Sequence, residues 1–175
     1  MKIRKASPED IEQIEIIYSR IHDEEESGKV SIGWDRNIYP VKKTAEDALE
    51  RNDLFVLEDE GMIAACAIIN QVQVPEYALA PWKYKAEDNE VMVLHTLVVD
   101  PGKNMKGFGR AFVQYYEQYA AANHCSVMRI DTNAVNERAR KMYQKLGYSE
   151  AGIVLCRFNG IPDVQLVCLE KRICE

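Results

Sequence analysis

The sequence predicts an α/β (α+β) fold, a single domain over 1–175. A mixed, mostly antiparallel sheet of about six to seven strands carries helices on both faces. Two observations predict this. Early and late apolar runs follow one another across hairpin-type turns, Asp59-Glu60-Gly61 and Asn159-Gly160, and so pair antiparallel. Between them a strand, a long helical pattern and a second strand require a crossover, hence a parallel pair.

The elements justify that order one by one. Residues 1–5 read as a short strand. Ser7-Pro8-Glu9-Asp10 is a helix start, with Ser as N-cap, Pro at the first helical position and an acid at N3. Ile11, Ile14, Ile17, Tyr18 and Ile21 then recur at helical spacing and form one apolar face. Asp23-Glu24-Glu25-Glu26 oppose the dipole of a helix C-terminus, so most of them are expected in a loop. They read as a solvated charge run or as an acidic rim for a cationic amine. Thr44 and Asp47 suggest a capping box for a helix through about residue 50. A strand at 54–57 and a buried one at 62–71 follow. The loop 71–89 holds Tyr77, Trp82 and Tyr84. Strand 90–99, a helix from 109 to about 123, strand 127–130, a helix ending at Gly147 and strands 151–158 and 164–171 complete the chain.

Composition bounds the function. The chain has 175 residues, 47% hydrophobic and 29% charged, as ordinary globular proteins do. A net charge of −6 argues against nucleic acid as a partner. No run of about eighteen apolar residues and no signal-peptide pattern occur, so no membrane association and a cytoplasmic location are expected. Cysteines at 66, 125, 156, 168 and 174 are odd in number and form no C-x-x-C, which points to neither a disulfide framework nor a metal site.

Residues 97–110, LVVDPGKNMKGFGR, carry the chemistry. An apolar strand end is broken by Asp100-Pro101-Gly102, and Gly107 and Gly109 open the next helix. Unpaired N–H groups, a partial positive charge and glycines that admit a ligand to the main chain make an anion site suited to a phosphate or diphosphate. Lys103, Lys106 and Arg110 add positive charge. The Walker pattern fails, because Phe108 stands where its Lys belongs. The dinucleotide fingerprint G-x-G-x-x-G lacks its third glycine at Phe112.

Asn104-Met105-Lys106-Gly107-Phe108-Gly109 resembles motif A, [QR]-x-x-G-x-[GA], of the GNAT superfamily of acyl-CoA N-acyltransferases, with Asn104 in place of Gln or Arg. Asn136 through Tyr148, NERARKMYQKLGY, matches the family's second pattern, N-x-x-A-x-x-x-Y-x-x-x-G-[FY]. The resemblance implies an acetyl-CoA-dependent N-acetyltransferase with a GNAT-like sheet, acting on the primary amine of a small molecule or peptide by direct attack in a ternary complex. It assigns main-chain contacts with pantetheine to Leu97, Val98 and Val99, a diphosphate cradle to Met105, Lys106, Gly107, Phe108, Gly109 and Arg110, and a cofactor hydrogen bond to Asn136. Arg138, Arg140 and Lys141 would add positive charge. Tyr143 matches the general acid; a phenol is protonated at neutral pH and can donate. His95, two residues before Leu97 and so expected on its face, is the candidate base. Trp34, Tyr39 and Trp82 are candidates for acceptor contact, with core packing as the other reading of Trp34 and Tyr39 and a clamped surface loop as that of Trp82. Family members are often dimers, so a homodimer is an expectation too. A non-catalytic acyl-CoA sensor is the alternative function.

Overall fold

The computed structural model describes residues 1–103 and 107–173. Strands β1 (Lys2–Lys5), β2 (Leu54–Asp59), β3 (Met62–Asn70), β4 (Val91–Val99), β5 (Val127–Asn133), β6 (Ser149–Phe158) and β7 (Ile161–Arg172) form one seven-stranded sheet in the order β1-β2-β3-β4-β5-β7-β6. β4 and β5 are parallel, and every other neighbouring pair is antiparallel. The helices are α1 (Ile11–Glu26), α2 (Lys42–Glu50), α3 (Phe108–Ala122) and α4 (Glu137–Lys145). None of the described helices is long and apolar enough to cross a membrane.

Amphipathicity distributes the helices. The isoleucine face of α1 packs with Ala45 and Ala48 of α2 on Leu54, Val56, Cys66 and Ile68. Phe108, Phe112, Val113, Tyr116 and Ala120 of α3 cover the opposite face, against Phe55, Ile69, Leu94 and Met128. Burial of these large apolar side chains is the main favourable term, roughly 1.5–3 kcal/mol each.

The acids at the end of α1 depart from expectation, because all four lie within the helix. Their partners explain it. Glu25 accepts from the Ile32 and Gly33 amides at 2.6 and 2.9 Å. Arg36 reaches back to Asp23 at 2.5 Å and Glu26 at 2.8 Å. Lys29 meets Glu24 at 2.9 Å. The run therefore fastens the segment that follows it and is not an open acidic rim. α2 also begins earlier than predicted; Thr44 is its N3 residue, and its hydroxyl accepts from the Val41 amide at 3.1 Å.

Two features of β4 shape the site. Its pairing with β5 runs only from Val91↔Val127 to Leu94↔Ile130. Beyond that point β5 continues to Asn133 against β7, while β4 continues to Val99 against β3. The strands part, and residues 95–99 have no partner on the β5 side. Just before the gap, the Tyr116 hydroxyl donates to the carbonyls of Met92 and Arg129 at 2.6 and 3.1 Å. The second feature is a bulge. Cys66 and Ile68 pair with Val98 and His95, so β4 holds one extra residue, and Thr96 has φ +52°.

Candidate active site

A cavity of about 550 Å³ follows the gap between β4 and β5. Leu97, Val98, Val99, Asn136, Ala139 and Tyr143 line it, together with Trp34, Tyr39, His95 and the β6–β7 turn. The unpaired stretch of β4 offers main-chain groups to an amide-bearing chain.

α3 starts where that strand ends. Gly107 is its N-cap at φ +76°, a conformation that costs an L side chain 1–2 kcal/mol by order of magnitude. Space beyond its Cα is open. Among the described residues, the first backbone bond at the start of the helix runs from the Ala111 amide to the Gly107 carbonyl. A Cβ on Gly109 would stand 3.2 Å from Met142 Sδ, which makes the glycine a condition of close α3–α4 packing. The Phe108 ring is buried in the core, so only its backbone is placed to meet a ligand. Arg110 lines a groove of about 590 Å³ with Arg138, Lys141 and Lys145. Asn104, Met105 and Lys106 lie outside the described residues, as does Cys174.

On α4, Asn136 is the N-cap, its Oδ1 accepting from the Ala139 amide at 3.1 Å. It lines the cavity as well, so capping and ligand contact are compatible. Arg140 does not add free charge; Glu150 holds it from both oxygens at 2.8 and 3.0 Å. Lys141 pairs with Glu137 at 2.7 Å on the exposed surface. Tyr143 is buried, its ring edge-on to Tyr148 at 6.0 Å. Burial, and then the charge of Asp131, raise its pKa above the ordinary phenol value. Its hydroxyl stays protonated at physiological pH and is available to donate.

His95 lies in the cavity but not on the face expected. The extra residue at Thr96 flips the alternation: Leu97 packs with the α3-side core, whereas His95 pairs with Ile68, which belongs to the α1-side core. His95 Nε2 lies 3.2 Å from both Asn70 Oδ1 and the Val72 carbonyl. Both are acceptors, so Nε2 carries the proton and Nδ1 is left free. Burial pushes its pKa down to about 4.

The aromatics divide. Trp34 and Tyr39 both line the cavity, edge to face at 6.1 Å, and Tyr39 is hydrogen-bonded to the Thr96 hydroxyl. Trp82 corrects the expectation of acceptor contact. Its indole donates to the Tyr77 carbonyl at 2.8 Å and stacks on the Arg129 guanidinium at 4.2 Å, away from the cavity. Arg129 and Glu170, both buried, fix this loop; Glu170 accepts from the Lys83 and Tyr84 amides at 2.7 and 3.1 Å.

Asp131 was not among the residues expected at the site. It lines the cavity at the carboxyl end of β5, and its Oδ2 accepts from the Tyr77 hydroxyl at 2.7 Å. Burial raises its pKa to about 6, partly offset by that hydrogen bond. The signal was an acid closing an apolar run at the carboxyl end of a parallel strand, where open α/β sheets place ligands.

Residues 14–148 match the model of the acetyltransferase (GNAT) family. The chain belongs to that family. GNAT enzymes use acetyl-CoA as donor. The fold is similar to that of a GNAT acetyltransferase from Streptococcus agalactiae, at 20% identity and TM-score 0.82 over 99% of this chain and 96% of that one. It is also similar to a Salmonella typhimurium structure solved with its cofactor acetyl-CoA, at 16% identity and TM-score 0.70 over 100% and 95% of the two chains. By sequence, 68 residues are 32% identical to N-acetylaspartate synthetase of Xenopus tropicalis; they make up 39% of this GNAT chain and 25% of that relative's length.

Proposed function

We propose that the chain, as one domain, is an N-acetyltransferase that moves an acetyl group from acetyl-CoA to a primary amine by direct attack. One observation carries the reading: the Tyr143 hydroxyl and the Asp131 carboxylate line a single cavity along the unpaired edge of β4. The name of the Xenopus relative supports an amine acceptor.

The residues present fit the cofactor. The β4 main chain at Leu97, Val98 and Val99 would hold its amides, and the backbone of Gly107, Phe108, Gly109 and Arg110 at the start of α3 would receive its diphosphate. The basic groove of Arg110, Arg138, Lys141 and Lys145 suits its nucleotide end. Asn136 would hold a cofactor polar group with the amide nitrogen its cap leaves over. When bound, acetyl-CoA supplies a thioester whose carbonyl carbon accepts a nucleophile.

The chain's own groups move the protons. An alkylammonium must lose one before it attacks. Asp131, ionised above about pH 6, takes that role better than His95, whose pKa near 4 makes it the weaker base. Tyr143 donates to the departing sulfur. Trp34 and Tyr39 form the acceptor wall.

The test is calorimetric titration with acetyl-CoA, CoA and NAD, followed by thiol release from acetyl-CoA over an amine panel. Binding of the first two with amine-dependent thiol release is expected. Binding without turnover of any amine returns the sensor reading, and binding of NAD alone rejects both.

A further inference from the structure

The cavity has a charge balance and a roof, and both bear on what enters. Arg51 lines it, but its Nε meets Asp53 at 3.0 Å, and Asp53 is also held by Asn70 at 2.8 Å. Asp47 lines it too and pairs with Lys43 at 2.6 Å. His95 is neutral at physiological pH. Asp131 differs: among the described residues no cation pairs with it, and its hydrogen-bond donor is a neutral phenol. Among the described residues that line it, the chamber thus has one carboxylate in need of a cation and no cation in need of a carboxylate. The rest of its wall is uncharged: Trp34, Val72, Val74, Phe158, Ile161 and Val164 give it an apolar part, and Asn70, Thr96, Thr132, Asn133 and Asn159 a neutral polar one.

The roof is segment 30–41, fastened at both ends. Gly33 sits on Asn133, so close that a Cβ would stand 2.3 Å from its amide nitrogen. Ile38 meets Gly160 of the β6–β7 turn, where a Cβ would stand 2.9 Å from Ile38 Cγ2. The acid run of α1 holds the same segment from behind through Glu25 and Arg36. A peptide strand needs an open groove, and here two loops that line the cavity meet at Ile38 and Gly160. The cavity of about 550 Å³ must also hold the acyl end of the donor.

We propose that the acceptor is a small primary monoamine with an apolar body and no carboxylate, its ammonium seated on Asp131 beneath the roof fastened at Gly33 and Ile38. This rests on the N-acetyltransferase reading and narrows it. The name of the Xenopus relative, whose product is an N-acetylated amino acid, would favour a carboxylate-bearing acceptor, so the amino acid is the competing outcome.

The experiment compares 2-phenylethylamine, phenylalanine, putrescine and a short peptide with a free N-terminus, in wild-type enzyme with saturating acetyl-CoA. The expected result is a kcat/KM for 2-phenylethylamine at least 100-fold above the other three. Titration of each into the CoA-bound enzyme gives a second readout. Tighter binding of 2-phenylethylamine is expected, weakened at least tenfold in Asp131→Asn. Preferential turnover of phenylalanine, putrescine or the peptide overturns the proposal and leaves the N-acetyltransferase reading standing. Failure to bind acetyl-CoA, or no thiol release with any amine, overturns both. If Asp131→Asn does not fold, the wild-type panel alone decides.

Discussion

The Tyr77 hydroxyl donates to Asp131 Oδ2 at 2.7 Å, tying the loop after β3 to the carboxyl end of β5. The carboxylate feels Tyr77 and Glu76 from that loop, and its charge is felt by Tyr39, Tyr143, Cys156 and Cys168. A base must be ionised to act, so kcat/KM should rise with pH through about 6 and then level. Tyr77→Phe removes the hydrogen bond that lowers the Asp131 pKa, and the limb should move to higher pH. Asp131→Asn should abolish the limb and lower kcat/KM by roughly 10²–10⁴-fold. Steady-state kinetics from pH 5 to 9 checks both; a limb unmoved in Tyr77→Phe would detach it from Asp131.

The same carboxylate has a stability signature. Its folded pKa, about 6, lies above the ordinary 3.8, so the folded state holds the proton more tightly. Stability is therefore full below about pH 4 and is lost as pH rises through 6, by up to about 3 kcal/mol. Asp131→Asn, which cannot ionise, should melt above wild type at pH 7.5, with the gap closing at pH 4. Urea melts at the two pH values measure it.

Tyr143→Phe keeps the ring that meets Tyr148 and loses the donor. We expect kcat and kcat/KM to fall together, by about 10²-fold or more, with little change in the KM for acetyl-CoA. An unchanged kcat would remove Tyr143 from the chemistry.

His95 protonates only near pH 4, so it cannot produce a rate limb near 6. His95→Asn should retain that limb and lose less than about tenfold in kcat/KM, well short of a general base's share. Loss of the limb would restore His95 as the base.

Trp82 is a packing residue on Arg129 and Tyr77. Trp82→Ala should cost about 3–5 kcal/mol in stability. Well below the melting temperature, the acceptor KM should stay within about twofold, a free-energy change under 0.5 kcal/mol. A selective rise in that KM would return the indole to the acceptor wall.

Much of this arrangement could be read from residue order. Apolar spacing marked the buried face of α1, and turn residues marked the hairpins. The glycines at 107 and 109 marked the start of α3, and the Asn136-to-Tyr148 pattern marked α4. Features that depend on distant partners could not be read that way. The bulge at Thr96 inserts a residue without disturbing the apolar run, so strict alternation put His95 on the wrong face. The acids of α1 looked misplaced because Arg36 lies ten and thirteen residues from Glu26 and Asp23. Trp82 resembled a pocket aromatic because its partner Arg129 belongs to another strand. Asp131 ended a strand in plain view, but its chemistry depends on burial and on Tyr77, fifty-four residues away.

The Tyr116 hydroxyl, bound to one carbonyl on each parallel strand, acts as the stop of a zip fastener. It comes from the helix whose first turn carries the glycines, so the opening of the slot and the seat at its end are set by one rigid body. Removing that single oxygen, as in Tyr116→Phe, takes away the one O–H that the Met92 and Arg129 carbonyls share.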